Sequence, residues 1–170
     1  SGGVIPKEKL DTPVDYENLS RLGSIMGSGG MIVMDETDCM VDIAKFYLGF
    51  CVEESCGKCS PCRIGGAQML DILKKISDGQ GEEENLVNLA DISRAMQKAS
   101  LCGLGQTASN PVVSSMKHYY DEYMSHIKDK RCPAGKCVPL LTYSILNDVC
   151  KRCGLCVKAC PANAFLGNRD

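Results

Sequence analysis

Glu54-Ser55-Cys56-Gly57-Lys58-Cys59-Ser60-Pro61-Cys62-Arg63 places three thiols at steps of three residues, as C-x2-C-x2-C. Three thiolates so spaced fit three irons on one side of a cubane cluster, and the chain on either side reads as helix. Before the motif, Val41, Ala44, Tyr47, Leu48 and Cys51 recur at helical spacing, which predicts a helix from about Cys39 to Glu54. After it, Ile64, Ala67, Leu70, Leu73 and Ile76 predict one from about Arg63 to Ser77, stopped by Gly79 and Gly81. A third helix is expected over about Glu82–Ser100. It has an acidic start suited to a helix N-terminus, and its apolar side is Leu86, Leu89, Ala90, Ile92 and Met96. The fourth opens at Asn110-Pro111 and carries Val112, Met116, Tyr119, Tyr120, Tyr123 and Ile127. Short connections between helices of similar length point to a mainly α fold built on an up-and-down four-helix bundle.

Upstream, residues 1–30 form an irregular lead-in ending in the turn Gly27-Ser28-Gly29-Gly30. Met31-Ile32-Val33-Met34 reads as a short buried strand, and Asp35-Glu36-Thr37-Asp38 as a turn and helix cap. Downstream, Cys150, Cys153, Cys156 and Cys160 form C-x2-C-x2-C-x3-C followed by Pro161, the bacterial ferredoxin pattern. Thr142-Tyr143-Ser144-Ile145 is expected to be the first strand of that unit. The division along the chain is therefore a lead-in over 1–38, a helical iron–sulfur bundle over 39–130, a hinge and linker over 131–142, and a partial ferredoxin-like module over 143–170.

The first triplet needs a fourth ligand for a 4Fe–4S cubane, and the topology points to Cys102 in Ser100-Leu101-Cys102-Gly103-Leu104-Gly105-Gln106. Helix one runs up to Cys56, helix two leaves from Cys62 and helix three returns to Cys102, so all four thiols fall at one end of the bundle. Gly57, Gly103 and Gly105 permit close backbone approach there. Two other readings stay open. Cys102 can be a small buried hydrophobe, and the set can hold zinc, although zinc more often takes separated C-x2-C pairs. In the tail, the first three cysteines of such a run bind one cluster and the fourth a second. No second run follows by Asp170, so the tail cluster is expected to be incomplete, and an empty half-module with little core is the competing reading.

Four cysteines and both histidines remain. His126, Cys132 and Cys137 lie close in sequence beyond helix four, and Cys39 begins helix one at the same end, away from the cluster thiols. These four make a closed tetrahedral zinc set, expected to join the bundle to the tail as a hinge. The alternative is a surface histidine beside unliganded thiols. Cys51 lies near the cluster end and reads as core packing. His118 is expected at the core edge or in solvent, and Lys58 and Arg63 are expected to offset cluster charge without a catalytic role.

The composition closes off several classes. The chain has 170 residues and a net charge of −2, which suits one domain plus an appendage and argues against nucleic acid as a partner. No apolar run approaches the roughly 20 residues of a membrane span. The start lacks a charged and apolar leader, and it lacks an initiator methionine, so the chain reads as part of a longer polypeptide. Twelve cysteines could also mark a secreted disulfide scaffold. Their clustering at ligand spacing favours a reducing cytoplasm instead.

The motifs Glu54–Arg63 and Leu101-Cys102-Gly103-Leu104 resemble the iron–sulfur region of the NADH-binding flavoprotein subunit of respiratory complex I. Gly29-Gly30-Met31-Ile32-Val33-Met34-Asp35-Glu36 and Asp38-Cys39-Met40-Val41 are more similar to the soluble branch of that family, the beta subunits of NAD(P)-linked and electron-bifurcating iron–iron hydrogenases. The resemblance covers about residues 1 to 137, and the ferredoxin-like tail favours the hydrogenase branch over complex I. It implies electron flow from NADH through FMN to a 4Fe–4S cluster, with 2Fe–2S and hydrogenase subunits as partners. It also implies that FMN and nicotinamide bind an upstream glycine-rich α/β domain. No such domain fits in residues 1–38, which resemble only the tail of the ubiquitin-like domain that follows it. The relay without its flavin site is therefore expected here, as is the alternative of a zinc-binding interaction module with no redox role.

Overall fold

The computed structural model describes residues 2–162 and 164, and among them the only regular structure is helical. A short 3-10 turn (Lys7–Lys9) and α1 (Tyr16–Arg21) lie in the lead-in. The helical body comprises α2 (Met40–Glu53), α3 (Ser60–Ser77), α4 (Glu83–Ala99), α5 (Gly103–Thr107), α6 (Asn110–His118) and α7 (Tyr120–Ile127). A 3-10 turn at Val138–Leu140 and α8 (Leu155–Ala159) follow. α2 packs on α3, α3 on α4, and both α2 and α4 on α6, so the helices close around one core. That core holds Val41, Leu48, Met69, Leu73, Ile76, Leu89, Met96, Val112 and Tyr123.

Each boundary has a local cause. Glu82 and Asn85 form a reciprocal capping box at the start of α4. Pro61 and Pro111 sit in the first turns of α3 and α6, where a missing N–H costs nothing. α3 ends in a Schellman turn. Gln80 N–H donates to the Lys75 carbonyl at 2.8 Å, and Gly79 N–H to that of Ile76 at 3.2 Å. Gly79 has φ +77, and a Cβ there would stand 2.6 Å from Leu140 Cδ2. Replacing Gly79 with Ala should therefore cost about 1–2 kcal/mol from the left-handed backbone alone, plus the displacement of Leu140. A urea titration of both chains would show the loss as a lower midpoint.

Several expectations need correction. Met31–Met34 forms no strand, and Met31 and Val33 are 80% and 86% exposed. Thr142–Ile145 is also irregular, with Tyr143 exposed. A strand needs a neighbouring ladder, and no described segment offers one to either stretch. The expected fourth helix is broken at Tyr119 (φ −128, ψ 39) into α6 and α7. Across the break, Tyr123 turns inward and its hydroxyl meets that of Ser115 at 2.7 Å. The buried face of α3 follows its apolar stripe at Leu73 and Ile76 but departs from it in the first half of the helix. Ile64 and Ala67 are exposed, while Gly65, Gly66 and Met69 face the core. A Cβ on Gly65 would come within 2.9 Å of Met96 Cγ. Close approach of α4 thus uses the absence of a side chain, which a search for apolar residues passes over.

The lead-in is fastened to the body through Val4, whose buried N–H donates to Ser114 Oγ at 2.8 Å. No helix among the described residues is long and apolar enough to cross a membrane.

Candidate iron–sulfur and metal centres

The thiols of the first motif are displayed at the α2–α3 turn. Gly57, at φ +73, reverses the chain after α2, and Arg63 donates from its guanidinium to the Gly57 carbonyl, holding the loop against α3. Cys59 is the N-cap of α3 and Cys62 lies in its first turn. Forty residues on, Cys102 caps α5, which packs on both α3 and α4 and so returns to the same end. The point where a Gly105 Cβ would stand is 3.2 Å from Cys62 Cβ and 2.7 Å from Ser100 Cβ, so only glycine fits between α3 and the end of α4. Gly103, by contrast, faces open space among the protein atoms. Cys62 is buried, Cys59 half-buried, and Cys56 and Cys102 exposed. Four thiols from three segments, with one in the core and two at the surface, are a donor set that fits a cubane lodged at the bundle end. Ser55 Oγ lies 3.4 Å from Cys62 Sγ, a contact with no counterpart in the motif reading.

At the opposite end, Cys39, His126, Cys132 and Cys137 converge, all buried, with their ligand atoms within 4.8 Å of one another. His126 Nε2 is 3.3 Å from Cys39 Sγ and 3.4 Å from Cys137 Sγ, and those two sulfurs are 3.8 Å apart. Tetrahedral zinc with Zn–S near 2.3 Å and Zn–N near 2.0–2.1 Å implies S–S edges of about 3.8 Å and S–N edges of about 3.6 Å. The three edges among Cys39, His126 and Cys137 are already close to those values. Its supports come from three directions. The Glu122 carbonyl can only accept, so at 2.7 Å it fixes the hydrogen on His126 Nδ1 and turns the Nε2 lone pair to the thiols. The Glu122 carboxylate accepts from Met40 N–H at 3.1 Å, capping α2 beside Cys39. In the 132–137 loop, Gly135 N–H donates to the Cys132 carbonyl at 3.1 Å and Lys136 N–H to Cys132 Sγ at 3.4 Å.

Without a metal the cluster of groups shares protons unevenly. Hydrogen bonding from Cys137, aided by His126, holds the Cys39 thiol down to about 4 against its burial. Burial opposes charge on His126, but the Cys39 thiolate and the Glu122 carbonyl outweigh it and lift the ring to about 9. The Cys39 thiolate and burial push Cys137 up. A metal must displace the protons on His126 and Cys137, so uptake releases them and strengthens as pH rises. Below the value of about 9 for His126, apparent zinc affinity should fall at least about tenfold for each pH unit. Competition with a chromophoric chelator across pH 6–8 would measure that slope.

The remaining predicted residues fall as follows. Cys51 is buried in the core and His118 is half-buried at its edge, where burial and Lys117 lower its pKa. Cys150, Cys153 and Cys156 are exposed and Cys160 half-buried, with Ala164 N–H donating to Cys160 Sγ at 3.4 Å. Around them Leu146, Val149 and Leu155 are also exposed, so this segment buries little apolar surface. Sequence reasoning missed Ser55, Ser100 and Glu122. Ser55 and Ser100 stand next to or two residues from cluster cysteines, which is a usable signal. Glu122 is four residues before His126, the ordinary helical distance, and nothing in the sequence marks it.

Residues 42–126 match the family described as the NADH-ubiquinone oxidoreductase-F iron–sulfur binding region. The chain belongs to this family. Residues 143–166 match the 4Fe–4S binding domain family. The NADP-reducing hydrogenase subunit HndC of Solidesulfovibrio fructosivorans is 48% identical over 169 residues, 99% of this chain and 34% of the relative. An NADH-quinone oxidoreductase subunit of Mycobacterium tuberculosis is 39% identical over 130 residues, 76% of this chain and 29% of the relative. A crystal structure of an NAD+-reducing [NiFe]-hydrogenase in the H2-reduced state superposes with a TM-score of 0.67 at 30% identity, over 75% of this chain and 22% of that one. The chain thus spans about a third of the length of the curated relatives it matches.

Proposed function

We propose that the chain is the electron-relay portion of an NAD(P)H-linked flavin and iron–sulfur oxidoreductase of the hydrogenase type. Cys56, Cys59, Cys62 and Cys102 hold a 4Fe–4S cluster. Cys150, Cys153 and Cys156 supply three ligands of a second, with Cys160 directed to another. Cys39, His126, Cys132 and Cys137 hold structural zinc. The observation that carries the relay is that Cys102 caps α5, which packs on α3, the helix that begins at Cys59 and holds Cys62. Bound clusters supply one-electron carriers, while the chain's residues ligate, space and tune them. No general acid, base or nucleophile is required of it. FMN and NAD(P)H belong to the remainder of the full-length protein, and 2Fe–2S and hydrogenase subunits are the partners. A reducing cytoplasm suits so many liganding thiols.

Alignment with the hydrogenase relative runs through the tail, whereas the NADH-quinone oxidoreductase relatives align over 126–133 residues. That difference favours the hydrogenase branch over complex I. The zinc knot lies immediately before Val138–Leu140, where Leu140 is the last buried residue among those described. It therefore anchors the bundle side of a linker on which the tail module swings.

Anaerobic purification followed by counts of iron, acid-labile sulfide and zinc tests this reading. About four irons with one zinc per chain support the bundle cluster and the zinc knot, and about eight irons add the tail cluster. Zinc without sulfide would leave only an interaction module.

A further inference from the structure

Beside Cys62 stands a buried hydroxyl with nothing to do. Ser100 is 4% exposed, and its Oγ has no hydrogen-bond partner among the described residues. Its backbone is held on both sides. Ser100 N–H donates to the Met96 carbonyl at 3.1 Å, and Gln106 Nε2 donates to the Ser100 carbonyl at 3.0 Å. The residue is thus fixed in place while its side chain is left unsatisfied. A buried unpaired hydroxyl is costly, and alanine would fill the same shape without that cost. The space beside Gly105 shows where it lies. A Cβ there would be 2.8 Å from Ser100 Oγ and 3.2 Å from Cys62 Cβ, so the hydroxyl and the buried cysteine both crowd Gly105 at the cluster end.

Another hydroxyl does reach Cys62. Ser55 Oγ accepts the Gly57 N–H at 3.2 Å, which leaves its own hydrogen free for Cys62 Sγ at 3.4 Å. We propose that Ser100, together with Ser55, donates a hydrogen bond to sulfur at the Cys62 corner of the bundle cluster and holds its reduction potential up. This rests on the ligand assignment made above. The physical cause is charge: reduction adds an electron to the sulfur-rich cluster, so a donor at sulfur stabilises the reduced form more than the oxidised one. Ser100 is therefore a positioning and tuning residue with no ligand role.

The test is a potentiometric titration of the full chain followed by EPR, for the unmodified protein, Ser100→Ala, Ser100→Thr and Ser55→Ala. Ser100→Ala should move the one-electron equilibrium toward the oxidised cluster by about tenfold, which corresponds to about 59 mV. Ser55→Ala should move it in the same direction, and Ser100→Thr, which keeps the hydroxyl, should stay near the unmodified value. Should Ser100→Ala fail to hold a cluster, ENDOR of the Ser55→Ala protein after transfer to deuterium oxide decides. A strongly coupled, exchanged hydroxyl deuteron supports the assignment, and its absence overturns it. An intact cluster with unchanged potential in Ser100→Ala sinks this inference alone. An unmodified chain that takes up no iron and sulfide sinks the ligand assignment beneath it.

Discussion

Replacing Cys102 with Ala should strip the 4Fe–4S signal from the bundle and lower bound iron by about one cubane per chain. Zinc content should not change. Cys102 is exposed, so the substitution removes little from the hydrophobic core. The polypeptide should keep its helical circular dichroism while the visible iron–sulfur absorption falls. The contrast is informative because Cys102 stands forty residues from Cys62 in sequence and is tied to that end only by the packing of α5 on α3. Full retention of iron and sulfide in the variant would show that the triplet finds its fourth ligand elsewhere, and closure through α5 would be wrong.

The second large effect is expected at the other end. Cys132→Ser should abolish zinc binding and leave the bundle cluster's iron in place. Cys132 is buried, as are the three groups facing it. A metal-free pocket leaves the Cys39 thiolate and the His126 imidazolium to compensate each other without the fourth ligand. The binding free energy of a structural zinc is folding free energy, and the variant forgoes it. Thermal melts with and without zinc should therefore differ strongly for the unmodified chain and hardly at all for the variant. Retained stoichiometric zinc would remove Cys132 from the ligand set.

These two ends differ in what can be read without a structure. The C-x2-C-x2-C triplet is local, and its spacing states its chemistry. The four zinc-site residues can be grouped from sequence because two helices of similar length have to start and finish at one end, and the structure places them in one pocket. What that reasoning could not supply is the near-tetrahedral set of edges, the Glu122 carbonyl that selects the His126 tautomer, or the Glu122 carboxylate that caps α2 beside Cys39. Each depends on α7 being turned relative to α6. The turn comes at Tyr119, where helix propensity shows no break.

The differences between sequence and structure have a common origin. Met31–Met34 and Thr142–Ile145 carry strand-like composition, but a strand exists only if another segment pairs with it, and composition does not report the partner. In its first half the buried face of α3 departs from its apolar stripe because Gly65 and Gly66 are chosen for what they lack, room being needed for Met96 and Val52. Ser100 is a similar case, since a serine's hydroxyl is informative only once its burial and missing partner are seen.

The helical periods, the stops at Gly79 and Gly81, the ligand spacings and the charge balance are properties of neighbouring residues, and they are settled by the chain's own order. Which face of α3 is buried in its first half, where the last long helix breaks, and which hydroxyls sit against Cys62 are decided only by packing. Those outcomes are set by the free energy of the whole core, to which residues far apart in sequence contribute together.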